Sequence, residues 1–199
     1  LAESSIPLRR GRGRRPAAEV RADVLKVAGD MLFENGLAAI TFDRVAARAG
    51  SSKMTLYKWW QSPGALAYEA YSAAVAVTLA FEDTGDVAAD LKAQLRAFVG
   101  LLTGNRVIAE LIGAAQSDPI LAAEFTRSYT LPRRARAVDR LTSAQLTGQI
   151  RDSVDLEIIV DQLWGACYHR LLLGGPSLDA EFTDALVDNV LLGVTPHPR

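Results

Sequence analysis

The chain has 199 residues, 49% of them hydrophobic, and 22 Lys/Arg against 23 Asp/Glu give a formal net charge of −1. That length and apolar content suit a substantial core, divided between one larger domain and a small appended one. Cys167 is the only cysteine, which excludes an intramolecular disulfide and points to a reducing compartment. With no signal-peptide pattern and no apolar run near the roughly 20 residues a bilayer needs, the expectation is a soluble, cytoplasmic protein without a membrane partner.

The near-neutral total hides an asymmetry. Residues 1–60 carry 11 Lys/Arg and 6 Asp/Glu, a net of +5, and residues 61–199 carry 11 and 17, a net of −6. A basic head on an acidic body is the distribution expected if only the head meets nucleic acid.

Residues 1–16, LAESSIPLRRGRGRRP, interleave five arginines with Gly11 and Gly13. They have little apolar surface to bury and read as a flexible arm. Guanidinium groups fit phosphates bidentately and enter narrow minor grooves, so Arg12, Arg14 and Arg15 are candidate DNA contacts. The plainer reading is a solvated tail. Pro16 then opens a first helix with Val20, Val24, Val27, Ala28, Met31 and Leu32 as its stripe, closed by Asn35-Gly36.

Phe42, Val45, Ala46 and Ala49 form the apolar stripe of a two-turn second helix. Thr41 is its candidate N-cap, and Asp43 places a negative charge in its first turn. Gly50 supplies the positive φ that a sharp stop requires. Ser51 or Ser52 caps a third helix, anchored on the core by Leu56 and Trp60, which leaves Lys53, Thr55 and Lys58 outward. A helix entering the major groove needs this division between a packed face and a polar, cationic one. An ordinary helical hairpin with a polar face is the competing reading; the neighbouring arginine arm favours DNA.

Ser62-Pro63 starts a fourth helix that runs to about Ala80. Its stretch between Ala70 and Phe81 lacks charge and is expected to be buried on more than one face. FEDTGD, residues 81–86, is an acidic turn. Leu91, Leu95, Phe98, Val99 and Leu102 mark a fifth helix, and Val107, Ile108, Leu111 and Ile112 a sixth, ended by Ser117-Asp118-Pro119. A seventh spans about 119–143 and should kink or break at Pro132, which lacks a donor and clashes with the preceding turn. Its Arg133, Arg134, Arg136 and Arg140 read as a solvated face, with an acidic ligand or partner as the sharper, less favoured alternative. Residues 146–154 are a loop. Leu156, Ile159, Val160, Leu163, Trp164, Cys167, Leu171 and Leu172 give an eighth helix, stopped by Gly174-Gly175-Pro176, and Phe182, Leu186, Val190 and Leu191 a ninth. The tail GVTPHPR should fray. The expected class is all-α with about nine helices: a small N-terminal helix-turn-helix unit and a larger helical bundle.

Thr41 to Leu66 resembles the DNA-binding signature of the TetR (tetracycline-repressor-type) transcriptional regulators. In that family a threonine opens the second helix, as Thr41 does, and an alanine-rich stretch ends in glycine, as in VAARAG. A serine, a leucine-tyrosine pair and an aromatic follow, as do Ser52, Leu56-Tyr57 and Trp59-Trp60. Ser62 and Ala65-Leu66 match the start of the fourth helix. The segment DQLWGACYHRLLLGGPSLDAEF is similar to the family's dimerising helices. The likeness is specific over the first 70 residues and loose beyond. There are departures: Ser51 replaces a branched apolar residue, Pro63 replaces a lysine and with it a phosphate contact, and Met54 occupies a position that is often small.

The resemblance implies a flexible arm at 1–16, a DNA-binding domain at 17–62 and a ligand-binding and dimerisation domain at 63–199. Ser52, Lys53, Met54 and Thr55 would lie where base edges are reached, with Lys53 able to donate to guanine or to a phosphate, and Tyr57, Lys58 and Thr41 would meet phosphates. Trp60 is expected in the core and Trp59 on the DNA-facing rim. Phe98, Leu102, Ile112, Phe125, Tyr129, Trp164, Cys167 and Tyr168 are candidates to line a pocket for an unidentified small-molecule effector, although aromatics at helical spacing are more often core. Gln162, Gly165, Ala166, His169, Phe182, Leu186 and Val190 would form the interface of a homodimer on a palindromic double-stranded DNA operator.

An enzyme is not expected. Only His169 and His197 accompany the one cysteine, and Cys167 and His169 are two apart on a helix and point away from each other. No metal-ligand spacing, phosphate loop or nucleophile elbow is present, so neither a metal nor a cofactor is expected. The remaining alternative is a helical protein-interaction adaptor without DNA binding.

Overall fold

Short polar side chains set where the helices begin. Thr41, Ser52, Ser62, Asp86, Asp118 and Asp155 each accept a hydrogen bond from a backbone N–H of the helix they precede. Such a cap satisfies a donor with no partner inside the helix and contributes about 1 kcal/mol. The computed structural model describes residues 15–194. Its α-helices are α1 (Ala17–Asn35), α2 (Phe42–Arg48), α3 (Lys53–Trp59), α4 (Pro63–Val75) and α5 (Val87–Gly104). They continue with α6 (Val107–Ser117), α7 (Pro119–Phe125), α8 (Leu131–Leu146), α9 (Leu156–Leu173) and α10 (Ala180–Val194). A single 3-10 turn, Leu37–Ala39, links α1 to α2, and the described residues contain no strand.

The α2–α3 turn depends on Gly50, whose φ is +60°. Ser51 N donates to Ala46 O at 3.0 Å and Gly50 N to Ala47 O at 3.4 Å, the paired bonds that close a helix on a left-handed residue. Ser51 leaves the turn's hydrogen bonding intact. The second demanding glycine is Gly36, with φ +76°. A Cβ there would lie 2.9 Å from Glu110 Oε2, and that same oxygen accepts from Leu37 N at 2.8 Å. The carboxylate of α6 therefore reaches into the α1–α2 connection, joining the first three helices to the rest.

One continuous core runs through the described residues. In the first helices it takes Val24, Ala28, Leu32, Phe42, Val45, Leu56 and Trp60, and α4 carries it onward through Leu66, Tyr68, Tyr71 and Val75. α4 is apolar on most sides because it packs on α1 at one face and on α7 and the following turn at another. In the second half, Leu91, Leu95, Phe98 and Leu102 of α5 meet α8, α9 and α10 through Leu141, Leu163 and Val187.

Three expectations need correction. α4 ends at Val75, a turn follows, and Val77 is 88% exposed while Leu79 is fully buried. A lack of charge over small residues such as Ala73 and Ala74 does not by itself require burial. Second, the break around Pro132 is displaced toward its N-terminal side. A π-helical turn, Thr126–Thr130, separates α7 from α8, and Pro132 lies in the first turn of α8, where a missing N–H is tolerated. With α7 and α8 taken as one interrupted helix, the described residues hold nine.

Third, the arginines of α8 are not a solvated face. Arg140 is buried, and its Nη2 lies 2.6 Å from the equally buried Asp90 of α5. Arg134 binds Glu157 and Asp161 of α9, and Arg133 is half-buried; only Arg136 is exposed. Arg140 falls on the same side of α8 as Ala137, Leu141 and Ala144, so its burial follows from helical phase.

Candidate nucleic-acid interface

The third helix is held from behind. Leu56 is fully buried and Trp60 nearly so. Trp60 Nε1 donates to Glu69 Oε2 at 2.7 Å, Arg21 Nη2 reaches Glu69 Oε1 at 2.5 Å, and the Arg21 guanidinium lies 5.2 Å from the Trp60 ring centre. This network ties the end of α3 to α1 and α4. The orientation of α3 is thus set by α4, not by a flexible loop.

Its other face is open. Ser52, Lys53 and Lys58 are exposed, Met54 is 70% exposed and Tyr57 52%. Thr55 is half-buried, its hydroxyl 2.8 Å from Ser52 Oγ, which also caps Thr55 N. The Tyr57 ring rests edge-on against Phe42 at 4.7 Å between centres, which fixes the ring and leaves half of its surface outside. Thr41 uses an oxygen lone pair to cap Arg44 N, so its O–H proton remains to donate.

Lys53 Nζ lies 2.8 Å from Asp43 Oδ2. The hydrogen bond it donates to that carboxylate holds the Lys53 ammonium above its ordinary pKa, so it is a full cation at neutral pH. Arg15 is tied back to α1 through Asp23, at 2.5 Å, and Glu19. The expected contacts of Arg12 and Arg14 lie outside the described residues.

Sequence reasoning passed over the arginines of α2. Arg44 is exposed and has no carboxylate partner among the described residues. Arg48, one turn on, forks onto Glu34 at 2.7 and 2.9 Å. Thr41, Arg44 and Arg48 share one side of the helix at i, i+3 and i+7, a spacing that was readable. Trp59, by contrast, is not on the rim expected of it. It is partly buried against Trp60 and lines a cleft with Ile120, Leu121, Glu124 and Arg127.

The remaining candidates fall into two groups in the second half of the chain. Tyr129, Trp164 and Tyr168 line one cavity of about 160 Å³ between α8 and α9, together with Arg133 and Arg134, which sequence reasoning had set aside. Phe98 and Phe125 stand behind that wall, edge-on to Tyr168 and stacked on Tyr129, each at 5.3 Å. Leu102 and Cys167 lie in closed core, and Ile112 packs half-buried against it. Cys167 donates to Leu163 O, and burial pushes its thiol up to about 12, which leaves it inert at neutral pH.

On α9, Gln162, Gly165 and His169 are exposed and Ala166 is half-buried, alongside exposed Ile158, Leu172 and Leu173. Phe182, Leu186 and Val190 of α10 are half-buried. Gln162, Leu186 and Val190 share a groove between the two helices with Ile158, and Phe182 is covered by the Arg170 guanidinium at 3.5 Å. No group of three or more His, Cys, Asp or Glu side chains among the described residues is arranged to hold a metal, and no single described helix is long and apolar enough to cross a membrane.

Two short helices joined at a left-handed glycine, the second pinned by its inner face and open along a polar and cationic outer one, define a helix-turn-helix DNA-binding regulator. The family pattern of the tetracyclin repressor-like C-terminal domain matches residues 81–190. The HTH-type transcriptional regulator YdeS of Bacillus subtilis (strain 168) is 34% identical over 185 residues, covering 92% of this chain and 93% of that protein. The DNA-binding transcriptional repressor TetR of Mycobacteroides abscessus is 32% identical over 177 residues, 86% of this chain and 91% of that one. The crystal structure of the TetR family transcription regulator SCO0332 superposes with a TM-score of 0.84 at 54% identity, covering 89% of this chain and all of that one. The chain belongs to the TetR family of transcriptional regulators; it is a DNA-binding regulator and not an enzyme.

Proposed function

We propose that the chain is a homodimeric, effector-responsive repressor of a palindromic operator. Residues 17–62 form its DNA-binding head, residues 1–16 a cationic arm, and residues 63–199 the part that dimerises and takes the effector. The observation that carries this reading is the two-sided character of α3. Leu56 and Trp60 are locked inward while Ser52, Lys53, Met54, Tyr57 and Lys58 stand outward. Lys53 and Met54, with Ser52 and Thr55, would read base edges, and Thr41, Tyr57 and Lys58 would bind phosphates. Arg44 joins this phosphate-binding set.

Dimerisation through α9 and α10 fits the exposed Gly165, the neighbouring Ala166 and the apolar Ile158, Leu172 and Leu173 beside them. A two-fold pair would set two copies of α3 about 34 Å apart, one turn of duplex DNA. Repression is the activity named for the Mycobacteroides abscessus relative. Selection of bound sites from randomised duplexes by the full chain tests the whole proposal. The expected product is an inverted repeat whose half-site preference relaxes in Lys53→Ala. Recovery of no duplex at low salt would return the chain to the adaptor reading, and a single undivided site would remove the dimer.

A further inference from the structure

The α8–α9 cavity has an unusual charge arrangement. Arg133 lines it, half-buried, with Nη1 donating to the main-chain oxygen of Leu79 and its guanidinium carbon 5.6 Å from the Phe81 ring centre. Among the described residues no carboxylate pairs with it. The acid that shares the wall, Asp161, is engaged by Arg134 at 2.5 Å, and Glu157 binds the same arginine. Burial lowers the Arg133 pKa from its ordinary value, yet arginine keeps its proton in proteins. The free protein therefore holds a partly desolvated cation whose natural complement is an anion.

The rest of the wall is aromatic and apolar: Tyr129, Trp164, Tyr168, Ala137 and Val160. Tyr168 donates to the Tyr129 oxygen at 3.5 Å, and the Tyr71 ring lies 5.3 Å from that of Tyr129. A hydroxyl has two lone pairs and one proton, so Tyr129 retains a proton to donate. Burial raises the pKa values of all three phenols, so they are neutral donors at physiological pH. The volume, about 160 Å³, sets the size of the occupant. A cavity of about 150 Å³ accepts benzene, so one ring with a small substituent matches this volume.

We propose that this cavity binds a single-ring aromatic carboxylate, its anion on Arg133 and Tyr129 and its ring against Trp164 and Tyr168. The inference rests on the effector-responsive reading above and names the chemistry of the effector. It also supplies a route to the DNA. A carboxylate taking Arg133 competes with the Leu79 oxygen in the turn that ends α4, and the opposite end of α4 follows directly from α3.

Calorimetric titration of the full-length protein with benzoate, its neutral counterpart benzamide, and acetate tests this directly. Benzoate should bind at least about tenfold more tightly than benzamide, with acetate weaker than both, as expected for a charge-assisted contact combined with ring burial. Arg133→Met should weaken benzoate about 10–100-fold while leaving benzamide within about twofold, and Arg133→Lys should recover part of the loss. Equal binding of benzoate and benzamide by the unaltered protein, or no binding of benzoate, overturns the proposal whether or not the variants fold. Retention of operator DNA by a protein that ignores benzoate sinks the cavity assignment alone. Benzoate binding without any affinity for duplex DNA upholds the cavity and sinks the regulator reading.

Discussion

Lys53–Asp43 in the head and Arg140–Asp90 in the body are ion pairs of nearly equal length, 2.8 and 2.6 Å, in opposite surroundings. The first pair's side chains are 45% and 73% exposed, the second's 3% and 2%. Water competes for the first at every moment, so it contributes little and is easily exchanged. The second is closed to water: Arg140 also reaches Asp83 at 3.4 Å and Asp90 also accepts from Thr84, but removing Arg140 leaves the buried Asp90 without a cation. A cation that must leave its own protein for a phosphate or a base has to be held weakly. An arginine that fixes α8 against α5 has to be costly to release.

The largest effect should come from breaking the buried pair. Arg140→Met leaves the Asp90 carboxylate without its cation and is expected to cost about 3–5 kcal/mol in urea unfolding. Replacing both members, Arg140→Met with Asp90→Leu, should recover much of that loss, because the penalty lies in the stranded charge. A single variant as stable as the original would mean that water reaches Asp90, and the contrast with Lys53–Asp43 would collapse.

Acid probes the same pair without a mutation. Burial disfavours the charged form of Asp90, but hydrogen bonds from Thr84 and Arg140 outweigh it and hold the carboxyl below its ordinary value of 3.8. A carboxyl whose folded pKa is depressed stabilises the fold fully above its unfolded value, and that contribution disappears as pH falls through the lowered one. Stability should therefore be flat down to about pH 4 and fall below it. Asp90→Asn should be less stable at pH 7 and show a flatter decline in acid; an identical acid profile in the two proteins would assign the titration to other carboxyls.

In the head the expected effect is on binding rather than folding. Lys53→Ala should weaken operator binding about 10–100-fold and relax preference at one base position. Its thermal midpoint should stay within about 2 °C of the original, since an exposed pair contributes little to the fold. A variant that binds normally but melts early would mean that Lys53–Asp43 is structural after all.

The two pairs also mark where sequence reading succeeds. Thr41, Gly50, Ser52 and Ser62 are local signals: each acts on backbone within three residues or on its own φ, so α2, α3 and the start of α4 could be read directly. The outward face of α3 followed from the same phase at Lys53 and Lys58 but not at Thr55, which is half-buried with its hydroxyl held by Ser52. Asp90 and Arg140 are 50 residues apart, and no local pattern joins them, so the arginines of α8 read as a charged surface. The cavity suffered in the same way. Tyr129, Trp164 and Tyr168 were found because aromatics stand out, while Arg133 was set down first as surface, with an acidic ligand only second, because its burial is created by Leu79 and Phe81 across the fold. Trp59 was misread for a similar reason: the α7 residues that cover it are 60 or more positions away.

Arg44 extends the comparison to a cation with no carboxylate partner among the described residues. If it binds a phosphate, Arg44→Ala should reduce the slope of log affinity against log salt by about 0.9 and leave base preference unchanged. An unchanged slope would place Arg44 off the duplex and reduce the phosphate-binding side of α2 to Thr41.

The smallest effect is the most discriminating. Asp43→Asn keeps an oxygen and the side chain's size but removes the charge that holds Lys53. Lys53 then approaches DNA without first giving up a carboxylate, and the head loses one repulsion from phosphate. Affinity should rise about two- to fivefold at low salt, and the gain should shrink as salt screens both effects. In Lys53→Ala with Asp43→Asn, the part of the gain that depends on Lys53 should vanish while the relief of phosphate repulsion persists. A full gain in that double variant would show that Asp43 acts on DNA alone and never holds Lys53 in reserve.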